Sequence, residues 1–275
     1  MKKISLLIVL FPLLLKAQEN KDSLSTNKKV AAVTNNHGKN ILKMNLSSLA
    51  LNNYHFTFER QLGKHISLSL GYRYMPNANL PYQDQLKSSF DLGSFDIGNF
   101  KMGGYAITPE LRFYLSKRKD MRGFYIAPYA RYTHFDVNTP VTYTTTVVAP
   151  PNPPQTVSKT APFSGNINAF SGGIMFGMQY NLAKQVVLDI WLIGAHYGNS
   201  NGDAIATFNP PLSNNPPAPG YDSEQQSLQK AINNINAKPF SITGKVDASG
   251  SFATLNASGP WIGLRGLGLN VGFRF

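Results

Sequence analysis

The last ten residues of the chain, 266–275, alternate without a break. Leu267, Leu269, Val271, Phe273 and Phe275 are large and apolar, while Gly266, Gly268, Asn270, Gly272 and Arg274 are small or polar. A period of two predicts a β-strand with one greasy face and one polar face. The pattern runs to Phe275 itself, so the apolar face must meet something hydrophobic along its whole length. In a soluble sandwich that partner would be a core, and a chain seldom stops on its core face.

Seven earlier segments repeat the pattern. The predicted strands are Ile41–Leu51, Tyr54–Gln61, His65–Met75, Lys101–Leu115, Gly123–Val137, Gly165–Leu182 and Gln185–Tyr197, followed by an eighth, Trp261–Phe275. In the second, Tyr54, Phe56 and Phe58 oppose His55, Thr57 and Glu59; in the third, Ile66, Leu68, Leu70, Tyr72 and Tyr74 oppose Ser67, Ser69, Gly71 and Arg73. Eight is an even number, as single-chain bacterial barrels require. The connectors sort by rank, except that the first, at Asn52-Asn53, is not long. Those after strands two, four and six are short, whereas 76–100, 138–164 and 198–259 are long and rich in Asn, Pro and Ser. Short turns on one rim and long loops on the other are the asymmetry of outer-membrane barrels. The Pro-rich run 149–154 argues against sheet there. One helix is expected inside the last loop, over 223–237, opened by a Ser223/Gln226 capping box with Leu228, Ile232 and Ile235 as its apolar stripe.

The N-terminus points out of the cytoplasm. Met1-Lys2-Lys3 is a basic start, 4–15 is an apolar run too short to cross a bilayer as a helix, and Ala17 offers a small residue at a cut site. A signal peptide over 1–17 is therefore expected, then a polar lead-in over 18–40. The formal net charge of +12 falls to +9 once Lys2, Lys3 and Lys16 are removed, and no basic run interleaved with aromatics suggests nucleic acid. The absence of cysteine excludes lipoprotein anchoring, disulfides and thiolate metal sites. These observations predict an all-β fold: an eight-stranded antiparallel transmembrane β-barrel over 41–275. Aromatic girdles are expected from Tyr54, Tyr74, Phe124, Tyr132, Tyr180, Trp261, Phe273 and Phe275 at strand ends.

Two passages carry a family resemblance. One is 42–51 with Phe58-Glu59-Arg60 and Gly71-Tyr72-Arg73-Tyr74-Met75-Pro76; the other is 108–114 with 123–129. Both resemble a Bacteroidetes family of small outer-membrane barrels without an assigned activity, similar in size to OmpA- and OmpX-type eight-stranded barrels. The aromatic ending on Phe273 and Phe275 likewise resembles the closing strand of such barrels. The resemblance implies the outer membrane of a Gram-negative bacterium, contact with its lipid, and recognition of the C-terminal strand by the barrel-assembly machinery.

The polar faces collect Lys43, Glu59, Arg73, Glu110, Arg112, Arg131, Asp189 and Arg274. Buried charges must pair, so a salt-bridge network is expected, centred on Glu59 and Glu110 with Arg73, Arg112 and Arg131. An enzyme would need His134, Asp136 and His196 near the outer rim. Parity puts both histidines on the even, lipid-side face, and only a bulge would bring either inside. The five histidines have no metal-ligand spacing. No catalytic, cofactor or metal site is therefore expected. The expected role is structural or partner-binding, through the outer loops or the flank of the barrel, as in an accessory subunit of a larger outer-membrane complex. The alternatives are a narrow pore or transporter for small solutes and, third, an outer-rim enzyme.

Overall fold

The computed structural model describes residues 38–79, 100–117, 120–148 and 153–275. The expected signal peptide, the lead-in as far as residue 37, most of the 76–100 connector and the run 149–152 lie outside the described residues. Within them the strands are β1 (Asn40–Asn45), β2 (Tyr54–Gln61), β3 (Ile66–Asn79), β4 (Lys101–Tyr114), β5 (Gly123–Val147), β6 (Gln155–Asn181), β7 (Val186–Thr207), β8 (Ser241–Val246) and β9 (Phe252–Arg274). Two helices join them, α1 (Leu46–Leu49) and α2 (Glu224–Asn233). Neighbours pair antiparallel in the order β1-β2-β3-β4-β5-β6-β7-β9, and β1 pairs with β9, closing a ring of eight strands. Asn40 and Phe275 exchange backbone hydrogen bonds of 3.1 and 2.9 Å at the closure. The short turns 62–65 and 182–185 and the described parts of 115–122 lie on that same rim.

Alternation sets the faces as expected. Leu42, Phe56, Leu68, Leu111, Ile174 and Phe273 point out and are exposed; Lys43, Thr57, Ser69, Arg112 and Gln179 point in and are buried. Four expectations about extent fail. The first strand stops at Asn45 instead of Leu51, because the Asn45 side chain accepts from Ser48 N–H at 2.7 Å and caps α1. The expected loop over 138–164 is largely strand and that over 198–259 is strand at its two ends with β8 between, since β5 and β6 run together far above the ring and β7, β9 and β8 do the same. Pro140 and Pro162 fit there because they face each other. Neither has an N–H, so the pair must be of the non-hydrogen-bonded kind, and among the described residues neither proline is ladder-paired on its other side. The eighth expected strand is β9 and begins at Phe252, with β8 added along its edge.

The tall strands form a wing on one side of the ring with its own core. Phe163, Leu228, Ile232 and Leu255 are buried there together with Val141, Tyr143 and Leu212. Helix α2 covers this inner face, opened by the expected Ser223/Gln226 capping box.

One irregularity decides what faces inward. Between β6 and β7 the register slips at Leu192: Gly177 pairs with Trp191, yet Phe176 pairs with Ile193. Beside it on β9, Leu267 takes a left-handed backbone (φ 52°), with Gly266 and Leu267 both exposed. Above this paired bulge the parity of β7 and β9 inverts, as an inserted residue must make it do. Arg265 is thereby buried, while Ile262 and Leu264 turn outward. The wall is also incomplete here. β1 leaves β9 at Asn270 and β8 joins it only at Ser258, so among the described residues no strand pairs with that edge over 259–269. Helix α1 partly covers the gap, with Ser47 Oγ accepting from Leu269 N–H at 3.1 Å.

Candidate functional site in the ring interior

Every wall strand contributes to one buried polar cluster. At its centre is Arg112 on β4, fully buried. Its guanidinium meets Asp189 (2.7 Å), Glu110 (2.8 Å) and Glu59 (3.4 Å) and lies over the Tyr125 ring at 4.6 Å. Lys43 on β1 bridges Asp189 at 2.7 Å and Glu59, and also donates to Gln179 on β6 at 2.5 Å. Tyr114 donates to Glu59 at 2.6 Å, Tyr125 to Asp189 at 2.8 Å, and Ser67 on β3 to Glu59. Arg265 on β9 completes the set through Glu110 at 2.9 Å. Three carboxylates thus face Lys43, Arg112 and Arg265, and their charges balance. Strands supply this because their even spacing puts one inward side chain per strand at each level.

The expected network is therefore re-centred. Among the described residues Arg73 and Arg131 make no ion pair, and Arg274 sits lower, donating to Asp120 O and Asn181 Oδ1, each at 3.0 Å. Lys43 and Asp189 take the places foreseen for Arg73 and Arg131. Arg265 could not be found from alternation, since the bulge at Leu267 reverses its side. Trp261 is corrected for the same reason. Placed in the outer girdle by parity, it points inward and packs on Phe135 with ring centroids 5.8 Å apart.

Above the cluster lies a cavity of about 400 Å³ lined by Arg73, Arg131, Arg265, His55, His196, Trp191 and Trp261. Glycines carve it. A Cβ on Gly268 would lie 2.6 Å from the Trp191 ring, and one on Gly263 2.4 Å from the His196 ring. Across the Phe135–Trp261 pair is a second, apolar cavity of about 260 Å³ that includes Val137, Phe240 and Leu255.

His196, expected toward lipid, is brought inside by the bulge and shares a hydrogen bond with Tyr129 Oη at 3.1 Å. His134 and Asp136 stay on the outer face, 3.4 Å apart, and His134 Nδ1 lies 2.8 Å from Asn168 Oδ1. The three residues an enzyme would need are therefore on opposite sides of the wall. Phe273 and Phe275 stack on the outer face of β9, centroids 6.5 Å apart.

The fold and its interior define an inside-out closed sheet, ion-paired within and apolar without. The chain belongs to the family described as protein of unknown function (DUF3575), whose model matches residues 23–209. That span ends after β7, so Trp261, Arg265 and the closing strand lie beyond it. No curated protein sequence matches the chain. Among solved structures, CarO2 from Acinetobacter baumannii is similar at 13% identity over 86% of this chain and 98% of that one. The TM-score is 0.32, too low to transfer anything to this chain.

Proposed function

We propose that this protein is a non-enzymatic, eight-stranded β-barrel of a Gram-negative outer membrane, serving a structural or partner-binding role as an accessory of a larger surface assembly. What carries the reading is the pairing of an apolar outer belt with a sealed interior. Outward residues of β3 from Ile66 to Tyr74 are apolar and exposed. At about 3.4 Å per residue and a tilt of roughly 40°, that stretch rises about 22 Å, close to the ~25 Å apolar band of outer-membrane barrels. Water would leave this belt as an exposed apolar patch far larger than soluble monomers carry. Inside, Lys43, Glu59, Arg112 and Asp189 are packed together and buried, so the ring is shut at their level. The resemblance of strands one to five to small Bacteroidetes barrels supports the same location, and Phe273 and Phe275 fit a terminal assembly signal.

The wing, built on strands too long to be needed for spanning, is the surface proposed for partners; a transmembrane strand takes only about 9–11 residues. Planar-bilayer recording separates this reading from a narrow pore. Silence is expected from wild type and from Glu59→Ala; steady conductance through wild type would overturn the closed reading. Solubility of the refolded chain without detergent would overturn the membrane assignment. Affinity purification from native outer membrane is expected to bring a stable protein companion, and repeated isolation of the chain alone would remove the accessory role.

A further inference from the structure

The cavity above the ion cluster has a surplus of positive charge that the fold does not need. Arg265 is neutralised by Glu110, but Arg73 and Arg131 have no carboxylate partner among the described residues, and the three guanidinium groups are near enough to repel one another. Among the described residues Arg131 donates from its Nε to Thr133 Oγ1 at 3.3 Å, and Arg73 has the Phe135 ring at 5.4 Å. Two guanidinium groups with little exposure and no carboxylate partner among the described residues are costly unless something anionic or wet meets them.

The lining also carries a set of unused donors. Arg73 Nε and Nη2, Arg265 Nη2 and Trp191 Nε1 are buried donors without a hydrogen-bond partner among the described residues; His55 Nε2, a donor or an acceptor according to its tautomer, and the acceptor Asn53 Oδ1 are unpaired there as well. His55 is 4% exposed and Trp191 6%, so these groups are not simply facing bulk solvent. Buried donors normally find partners, and four donor atoms left unpaired around one cavity call for a complementary ligand. Guanidinium forks match the two or more oxygens of a carboxylate or phosphate. A volume near 400 Å³ lies within the usual range for small-ligand sites.

We propose that this cavity is an oxyanion-binding site in which Arg73 and Arg131 hold a phosphate or carboxylate group, assisted by Arg265, Trp191 and His55. The group can arrive free in solution or as the head of an amphiphile. The wall gap bordered by Leu264 and Leu267 and the apolar cavity beyond Trp261 both offer room for a hydrocarbon body beside the same arginines. This site is independent of the outer-membrane assignment, because binding can be measured in any state that keeps the ring closed.

Trp191 and Trp261 are the only tryptophans of the chain and both line the cavity, so intrinsic fluorescence reports its occupancy. Full-length protein refolded in detergent is titrated with inorganic phosphate and, separately, with octyl phosphate, against sodium chloride at matched ionic strength. A saturable change with either probe, weakened at least tenfold in Arg73→Gln/Arg131→Gln, supports the site. If inorganic phosphate suffices, the ligand is a solute. If octyl phosphate alone saturates, it is an amphiphile's head group. The two arginines support no ion pair among the described residues, so the double variant is expected to fold, checked by circular dichroism and by its gel shift on heating. Should a variant of this kind misfold, Arg131→Gln alone is titrated in the same way, with at least threefold weakening expected. Responses equal to those in chloride, or affinities unchanged by the substitutions, would overturn the proposal.

Discussion

Replacing Arg112 with Gln removes one positive charge from a cluster that is balanced in wild type. Glu59, Glu110 and Asp189 would then share Lys43 and Arg265, leaving one buried negative charge without a partner. Breaking a buried pair by deleting one partner costs about 3–5 kcal/mol, and the lost guanidinium–Tyr125 stacking adds roughly 0.5–2 kcal/mol. The loss expected is therefore about 3.5–7 kcal/mol. Equilibrium urea unfolding of the refolded protein in detergent, followed by tryptophan fluorescence, reads it as a fall in midpoint at constant slope. The double variant Arg112→Gln/Asp189→Asn restores neutrality and is expected to recover about half of the loss or more. Arg112→Lys, which keeps the charge but not the fork that reaches three carboxylates, should fall between. A cost within about 1 kcal/mol for Arg112→Gln would refute the reasoning, for it would mean that water rather than arginine solvates these carboxylates.

Two further outcomes follow from particular contacts. Gly177→Ala would set a Cβ 2.3 Å from the Tyr125 hydroxyl oxygen, pushing that ring off Asp189; overpacking of this kind costs about 1–3 kcal/mol in the same urea assay, whereas Gly172→Ala, whose Cβ would meet only Tyr129 O at an ordinary contact distance of 3.9 Å, should be near neutral. In the wing, burial pushes the Glu224 carboxyl up, but hydrogen bonds from Lys159 at 2.6 Å and Tyr143 at 3.0 Å outweigh it, and the net effect is a lowered pKa. A lowered folded value means that the contribution of Glu224 is present above the ordinary carboxylate range and is lost as pH falls through the folded value. Proteolysis of the wing should therefore quicken between pH 6 and pH ~3.5 in wild type. That difference should shrink in Glu224→Gln, and an unchanged one would assign the pH dependence to other groups.

Much of the fold was legible because alternation needs no knowledge of neighbours. Tyr54–Gln61 matches β2 at both ends, and the cluster residues Lys43, Glu59, Glu110, Arg112 and Asp189 fall inward as period two requires. The capping box at Ser223 was equally readable, since its two hydrogen bonds are local. The wing was not. Asn138–Val147 and Gly198–Thr207 carry Pro, Gly and Asn that locally favour turns, and they are strand because long neighbouring strands give their backbones partners.

By itself, then, the order of residues determines that this chain makes two-faced strands enough to close a ring, and which side of most of them is greasy. It does so because a pleated backbone sends successive side chains to opposite faces whatever lies alongside. Tertiary structure alone decides what happens above Leu192 and Leu267. A bulge is a mismatch between neighbours and has no spelling within either strand, yet it turns Arg265, His196 and Trp261 inward and Leu264 outward. The arginine-lined cavity exists only because those reversed residues converge with His55, Arg73 and Arg131 from strands far away in the chain.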